Sequence, residues 1–156
     1  MSDARNPIDA AGEDEIEVLA RTIFGEARGE PVEGQIAVAY CIVHRAQIAK
    51  EYVSRTLHRH PLYGNGTIRA ACQAPLQFSC WNDGDPTKAR MLAVTLADPA
   101  YRCAHDIAEK VIKGEAEDGL PGTTHYFNPD VVAAPKWAAG LPYTTIGHHR
   151  FFRDVT

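Results

Sequence analysis

One segment of this sequence carries an acid where an acid can work. In Phe24-Gly25-Glu26-Ala27-Arg28-Gly29-Glu30-Pro31, two carboxylates flank a basic residue. The preceding apolar positions Ile16, Leu19, Ala20, Ile23, Phe24 and Ala27 recur at spacings of three and four, so an amphipathic helix over about 14–28 presents the segment. At about 100° per residue the apolar face spans an arc of roughly 140°, and Glu26 falls about 20° beyond its edge. A carboxylate so placed is half-buried against apolar neighbours, which disfavours its charged form. A general acid working near neutral pH needs that environment. The competing reading is a surface carboxylate paired with Arg28. Glu30, beyond Gly29, is placed to cap the next helix with its charge, to orient Arg28 or to contact a substrate.

The elements that must position these groups follow from the same patterning. Gly29 and Pro31 end the first helix, and Pro31 opens a second that runs to about residue 50. Its stretch Ile36-Ala37-Val38-Ala39-Tyr40-Cys41-Ile42-Val43 is apolar on every side, so it belongs in the middle of the domain. Residues 59–85 hold Pro61, Gly64, Gly66, Pro75 and Gly84 and read as a long structured loop with a short helix near Thr67–Gln73. Loops of that length inside a small domain are usually functional. Helical patterning returns over about 87–96 and 99–113, with Gly114 as the stop. Thr123–Asn128 and Thr144–Val155 are β-branched and aromatic and pair as a small hairpin or sheet. The expected fold class is α+β, mostly helical with a small β element: residues 1–13 a flexible arm, residues 14–156 one domain.

Composition narrows the function classes. With 156 residues and 45% hydrophobic content, one domain can bury its own core without disulfides or a metal. Sixteen Lys and Arg against 20 Asp and Glu give a net charge of −4 with no basic block, which argues against a nucleic-acid binder and against a cationic membrane-disrupting protein. No stretch approaches the ~18–20 consecutive apolar residues of a membrane span, so no membrane insertion is expected. The polar opening, with Asp3, Asp9, Glu13, Asp14 and Glu15, lacks the pattern of a secretory signal and points to synthesis in the cytoplasm. Of four cysteines, Cys41 and Cys103 read as packed thiols. Cys72 and Cys80 bracket a loop and suit either a disulfide in an oxidising space or two free thiols. No Cys–His spacing matches a structural zinc site.

Ordered motifs now carry a resemblance. The run Leu19–Pro31, continued by Glu33-Gly34-Gln35-Ile36-Ala37-Val38-Ala39, resembles the opening of the SleB/CwlJ-type (spore-cortex-lytic) cell wall hydrolase family. Gln77-Phe78-Ser79-Cys80-Trp81-Asn82, Thr124-His125-Tyr126-Phe127-Asn128-Pro129, Trp137 and Ile146-Gly147-His148-His149-Arg150-Phe151-Phe152 follow in the family's order, covering about residues 14–153.

The resemblance implies a lysozyme-like lytic transglycosylase domain acting on peptidoglycan glycan strands, as a monomer and without a cofactor. Its single catalytic acid maps onto Glu26. That residue would protonate the leaving oxygen of the bond between N-acetylmuramic acid and N-acetylglucosamine, then deprotonate the muramic C6 hydroxyl, closing a 1,6-anhydro ring. An intramolecular nucleophile explains why one carboxylate suffices where hydrolysis uses two. Glu30 and Glu33 keep a hydrolytic muramidase open. Sugars need aromatic platforms with amide or hydroxyl partners, which Gln77, Phe78, Ser79, Trp81 and Asn82 supply together, and Tyr126 and Asn128 again later; Glu30 and His148 complete the expected substrate contacts. Phe78, Trp81 and Trp137 are equally readable as core or loop anchors, and the Tyr126 hydroxyl as a group that positions Glu26. Two other enzyme readings invoke a zinc amidase built on His125, His148 or His149, or a Cys80–His125 nucleophile. A catalytically silent glycan-binding domain is a further alternative. His44, His58, His60 and His105 read as surface or loop residues. A domain of this kind suits an endolysin that a holin releases to the wall or periplasm.

Overall fold

The protein is described here by a computed structural model that covers residues 7–74 and 77–155, of which residues 7–14 are described by their backbone course alone. Five helices come first: α1 (Pro7–Ala27), α2 (Val32–Thr56), α3 (Ile68–Gln73), α4 (Pro86–Ala93) and α5 (Pro99–Ile112). Three strands follow, β1 (Thr123–Phe127), β2 (Thr144–Ile146) and β3 (His149–Arg153). The mostly helical α+β class is therefore the observed one.

Boundaries differ from the sequence pattern in three places. α1 starts at Pro7, inside the stretch expected to be an arm; residues 1–6 lie outside the described residues. α2 continues beyond residue 50 to Thr56, because no Gly or Pro interrupts Glu51–Thr56, and it closes on Leu57, whose N–H reaches Val53 O at 2.8 Å. α4 stops at Ala93, short of Leu96. There the Arg21 guanidinium donates to the carbonyls of Met91, Leu92 and Val94 at 2.7–3.2 Å, satisfying the helix end from outside. The starts of α4 and α5 follow the capping rule: Asp85 accepts from Thr87 N–H, and Asp98 from Ala100 N–H, each at 2.8 Å and each followed by Pro.

The apolar face read for α1 is the one it buries. Leu19, Ala20, Ile23 and Phe24 are fully enclosed, against Val38, Ala39, Cys41 and Ile42 of the central α2 and Tyr101, Ala104 and Ala108 of α5. The sheet has order β1-β3-β2, all antiparallel, with Tyr126 opposite Phe151 and Ile146 opposite His149. Side chains alternate across it. Tyr126, Phe151 and Ile146 face the helical core, while Phe127 and Phe152 form a second small core with Ala138 and Trp137. A register irregularity between Thr123 and His125 re-aims β1 just ahead of Tyr126. All four cysteines are free, so the Cys72–Cys80 pair is two buried thiols. Among the described residues no helix is long and apolar enough to cross a membrane.

Candidate active site

Glu26 sits half-buried in the last turn of α1, where the helix meets the sheet. Each carboxylate oxygen accepts a hydrogen bond, and the Cys80 thiol lies alongside as a further partner of the carboxylate. The Tyr126 hydroxyl donates to Oε1 at 2.9 Å, and the Cys80 backbone N–H donates to Oε2 at 3.3 Å. The two donors come from segments far apart in the chain, one on β1 and one in the one-turn 3₁₀ helix Ser79–Trp81. Burial, and then the neighbouring Glu26 charge, push the Tyr126 phenol well above its ordinary value, so it remains a donor across the working pH range.

Gly25 explains how the 3₁₀ turn comes so close. A Cβ on that residue would lie 2.6 Å from Cys80 Cβ and 2.9 Å from its Sγ. The turn is anchored from the other side by Trp81, whose indole N–H donates to the buried Thr22 Oγ1 at 2.8 Å. Arg28 pairs with neither glutamate. It donates to Phe24 O at 3.1 Å and lies over the Phe24 ring, which removes the surface-pair reading of Glu26.

Glu30 is committed elsewhere. Its Oε1 accepts the His148 backbone N–H and its Oε2 meets His148 Nδ1, both at 2.8 Å, so the residue clamps the β2–β3 turn to the end of α1. Gly147 completes the fit: it has a φ of +59°, and a Cβ there would collide with Glu30 Oε1. The buried His149 stands 3.8 Å from the same oxygen and sets its ring edge-on to Tyr126 at 4.9 Å. Burial alone would raise the Glu30 pKa, but the His148 hydrogen bonds and the charges of both histidines outweigh it, and the net direction is down. His148 moves up, chiefly through its hydrogen bond to Glu30.

The signs define a pH window. A raised His148 pKa contributes stability below its unfolded value of about 6.5, lost as pH rises through the folded value. A lowered Glu30 pKa contributes stability above its unfolded value of about 4.3, lost as pH falls through the folded one. The advantage in Tm of the wild type over His148→Gln is therefore expected to be larger at about pH 5.5 than at about pH 9. Calorimetry at the two pH values checks this, and an equal gap would sink the clamp as an ion pair.

The remaining expected residues divide. Phe78 is 2% exposed, so it has no free face to offer a sugar and is a core anchor. Trp81 is half-buried and tied to Thr22. Ser79 is exposed and Asn82 half-buried on the turn that donates to Glu26. Asn128 turns its Oδ1 to Asp130 N–H at 2.9 Å and builds its own loop. Gln77 faces inward to Arg45. The Cys80 thiol is buried, and burial with the adjacent Glu26 charge pushes its pKa far up, which contradicts a Cys80–His125 nucleophile. His125 packs on Trp137 at 4.7 Å, and burial followed by the Arg45 charge lowers its pKa to about 4. Among the described residues no three His, Cys, Asp or Glu side chains are grouped to hold a metal ion.

Sequence reasoning missed two groups here. His44, expected at the surface, is buried, with Nδ1 2.5 Å from Thr123 O and Nε2 2.6 Å from Asp118 Oδ2. Arg45 beside it is also buried, and its signal in the sequence is a cation just after the apolar run Ile36–Val43.

A helical lobe, a small antiparallel sheet and a carboxylate where they meet make a lysozyme-like domain. Residues 29–152 match the family model described as Cell Wall Hydrolase, and the chain belongs to that family. Glu26 lies just ahead of the matched stretch. The chain is 29% identical over 140 residues to the spore cortex-lytic enzyme of Bacillus subtilis, covering 88% of this chain and 37% of that protein. It is 49% identical over 140 residues to the spore cortex-lytic enzyme of Oceanobacillus iheyensis, covering 89% and 41%. It thus spans about two fifths of those relatives. Among solved structures it resembles the catalytic domain of the germination-specific lytic transglycosylase SleB from Bacillus anthracis, with a TM-score of 0.61, 25% identity and coverage of 98% and 100%. The catalytic domain of Bacillus cereus SleB superposes with a TM-score of 0.62, 27% identity and coverage of 90% and 91%.

Proposed function

We propose that this domain cleaves peptidoglycan glycan strands between N-acetylmuramic acid and N-acetylglucosamine as a lytic transglycosylase, with Glu26 as its acid and base. One observation carries the choice of lyase over hydrolase. Glu26 is held by two donors at the junction of the lobes, whereas Glu30, the nearest candidate in sequence for a second carboxylate, has both oxygens tied to the β2–β3 turn. Glu33 is exposed at the start of α2. Family membership and the likeness to SleB support the same reading.

The reaction balances without water. Glu26 gives its proton to the glycosidic oxygen, and the bond from that oxygen to the muramic C1 breaks. The muramic C6 oxygen bonds to C1 and its hydroxyl proton goes to Glu26, which ends protonated as it began. The nucleophile is supplied by the substrate, so its proximity replaces a second carboxylate. Tyr126 and the Cys80 amide fix the carboxylate through both transfers. Ser79, Trp81, Asn82, Asn128 and His148 remain the proposed contacts to the strand. Action as a monomer at the wall, reached through a holin as endolysins do, belongs to the same proposal.

Digestion of purified peptidoglycan, followed by a muramidase and mass spectrometry, reads the outcome directly. The expected product carries 1,6-anhydro-muramic ends. Reducing muramic ends would mean hydrolysis, and free stem peptides would mean an amidase; either overturns the proposal.

A further inference from the structure

Glu26 takes its donors from two segments remote in sequence, and one side chain of α2 bonds to both segments. Arg45 is 5% exposed; its Nε donates to Thr124 O at 2.7 Å and an Nη donates to Gln77 Oε1 at 3.2 Å. Thr124 lies just before Tyr126 on β1, and Gln77 just before Cys80. The guanidinium lies over the ring of Phe78, at 4.9 Å, and over that of Tyr63, at 5.0 Å. Neither of its hydrogen-bond acceptors is a carboxylate.

Among the described residues no carboxylate forms an ion pair with it; a buried cation so placed is expensive, and an apolar side chain would fill the space at less cost. What an apolar residue lacks is a rigid planar fork that bonds in two directions at once. We propose that Arg45 is a positioning residue that sets the gap between the Cys80 amide and the Tyr126 hydroxyl across Glu26, and so governs turnover. This rests on the assignment of Glu26 as the acid.

The test uses the full chain, glycan fragments of defined length, and the variants Arg45→Lys, Gln77→Met, their combination, and Glu26→Gln as control. Lysine keeps the charge but cannot reproduce the fork. Arg45→Lys should lower kcat by about tenfold to a hundredfold, the scale of an ångström-size misplacement, with KM changed far less. Gln77→Met, which leaves the Arg45–Thr124 bond intact, should lower kcat by less. If both act through one link, the double variant loses little more than Arg45→Lys alone. Wild-type kcat in Arg45→Lys, a rise confined to KM, or fully additive losses would each overturn the proposal. Should Arg45→Lys fail to fold, an unchanged kcat in Gln77→Met overturns it. Activity surviving in Glu26→Gln would instead refute the assignment of the acid.

Discussion

Glu26→Gln is expected to lower glycan-strand cleavage by about a thousandfold, within the range that a positioned general acid contributes, while leaving the fold in place. Glutamine has the same shape, so neither the α1 packing nor the Gly25–Cys80 approach changes. Its amide has one acceptor oxygen where the carboxylate has two. Turned with its oxygen toward the Cys80 N–H, the amide presents its NH₂ to the Tyr126 hydroxyl, which can accept as well as donate; the reverse orientation sets the NH₂ against the Cys80 N–H. One weakened, half-exposed hydrogen bond costs about 1 kcal/mol, a small part of the stability of a domain this size. What disappears is the proton: an amide can neither give one to the leaving oxygen nor accept one from a C6 hydroxyl. Release of soluble muropeptides measures the rate, and Tm reports the fold. A residual rate within tenfold of wild type would remove Glu26 from the chemistry.

The half-buried placement of Glu26 was legible because its signal is local. The spacing of Ile16, Leu19, Ile23 and Phe24 orients a helix by itself, and a carboxylate at the edge of that face must lie near the protein–solvent boundary. The same holds for α5, whose buried Tyr101, Ala104, Ile107 and Val111 are the residues its periodicity names. The sheet was legible as composition, but its order was not, since a hairpin and a three-stranded β1-β3-β2 arrangement share the same runs. The misreadings at the site concern contacts made across the chain. An aromatic in a loop can face a sugar or the core, and only the return of the loop over α2 decides that Phe78 lies beneath Arg45. Glu30 reaches a turn whose residues lie more than a hundred positions later. The Cys80 amide leaves no trace in the sequence, because every residue but proline has one. Arg45 is the instructive case. It comes just after the all-apolar stretch Ile36–Val43 of α2, where a charge has little solvent to face, and its partners Gln77 and Thr124 lie within motifs already singled out.

The largest effect on stability is expected from Gly25→Ala, where two local rules oppose each other. Gly25 lies inside α1, and replacing an interior helical glycine by alanine ordinarily stabilises by about 0.5–1 kcal/mol. The new methyl, however, would lie 2.6 Å from Cys80 Cβ, 2.9 Å from Cys80 Sγ and 3.2 Å from Met91 Sδ. Overpacking of this kind costs about 1–3 kcal/mol, and here the obstructing carbon belongs to a turn anchored by the Trp81–Thr22 bond rather than to the free end of a flexible side chain. Sterics therefore exceed propensity. A net loss of about 1–2 kcal/mol lowers Tm by roughly 2–8 °C for a chain of this length. The turn can relieve the clash only by moving off α1, which draws the Cys80 N–H away from Glu26, so activity should fall along with Tm. The contact also dictates its own rescue. Cys80→Ala keeps the offending Cβ and should leave most of the penalty, whereas Cys80→Gly removes it and should restore part of both Tm and activity. If Gly25→Ala melts at or above the wild-type temperature, helix propensity has won and the close approach is not the reason for the glycine.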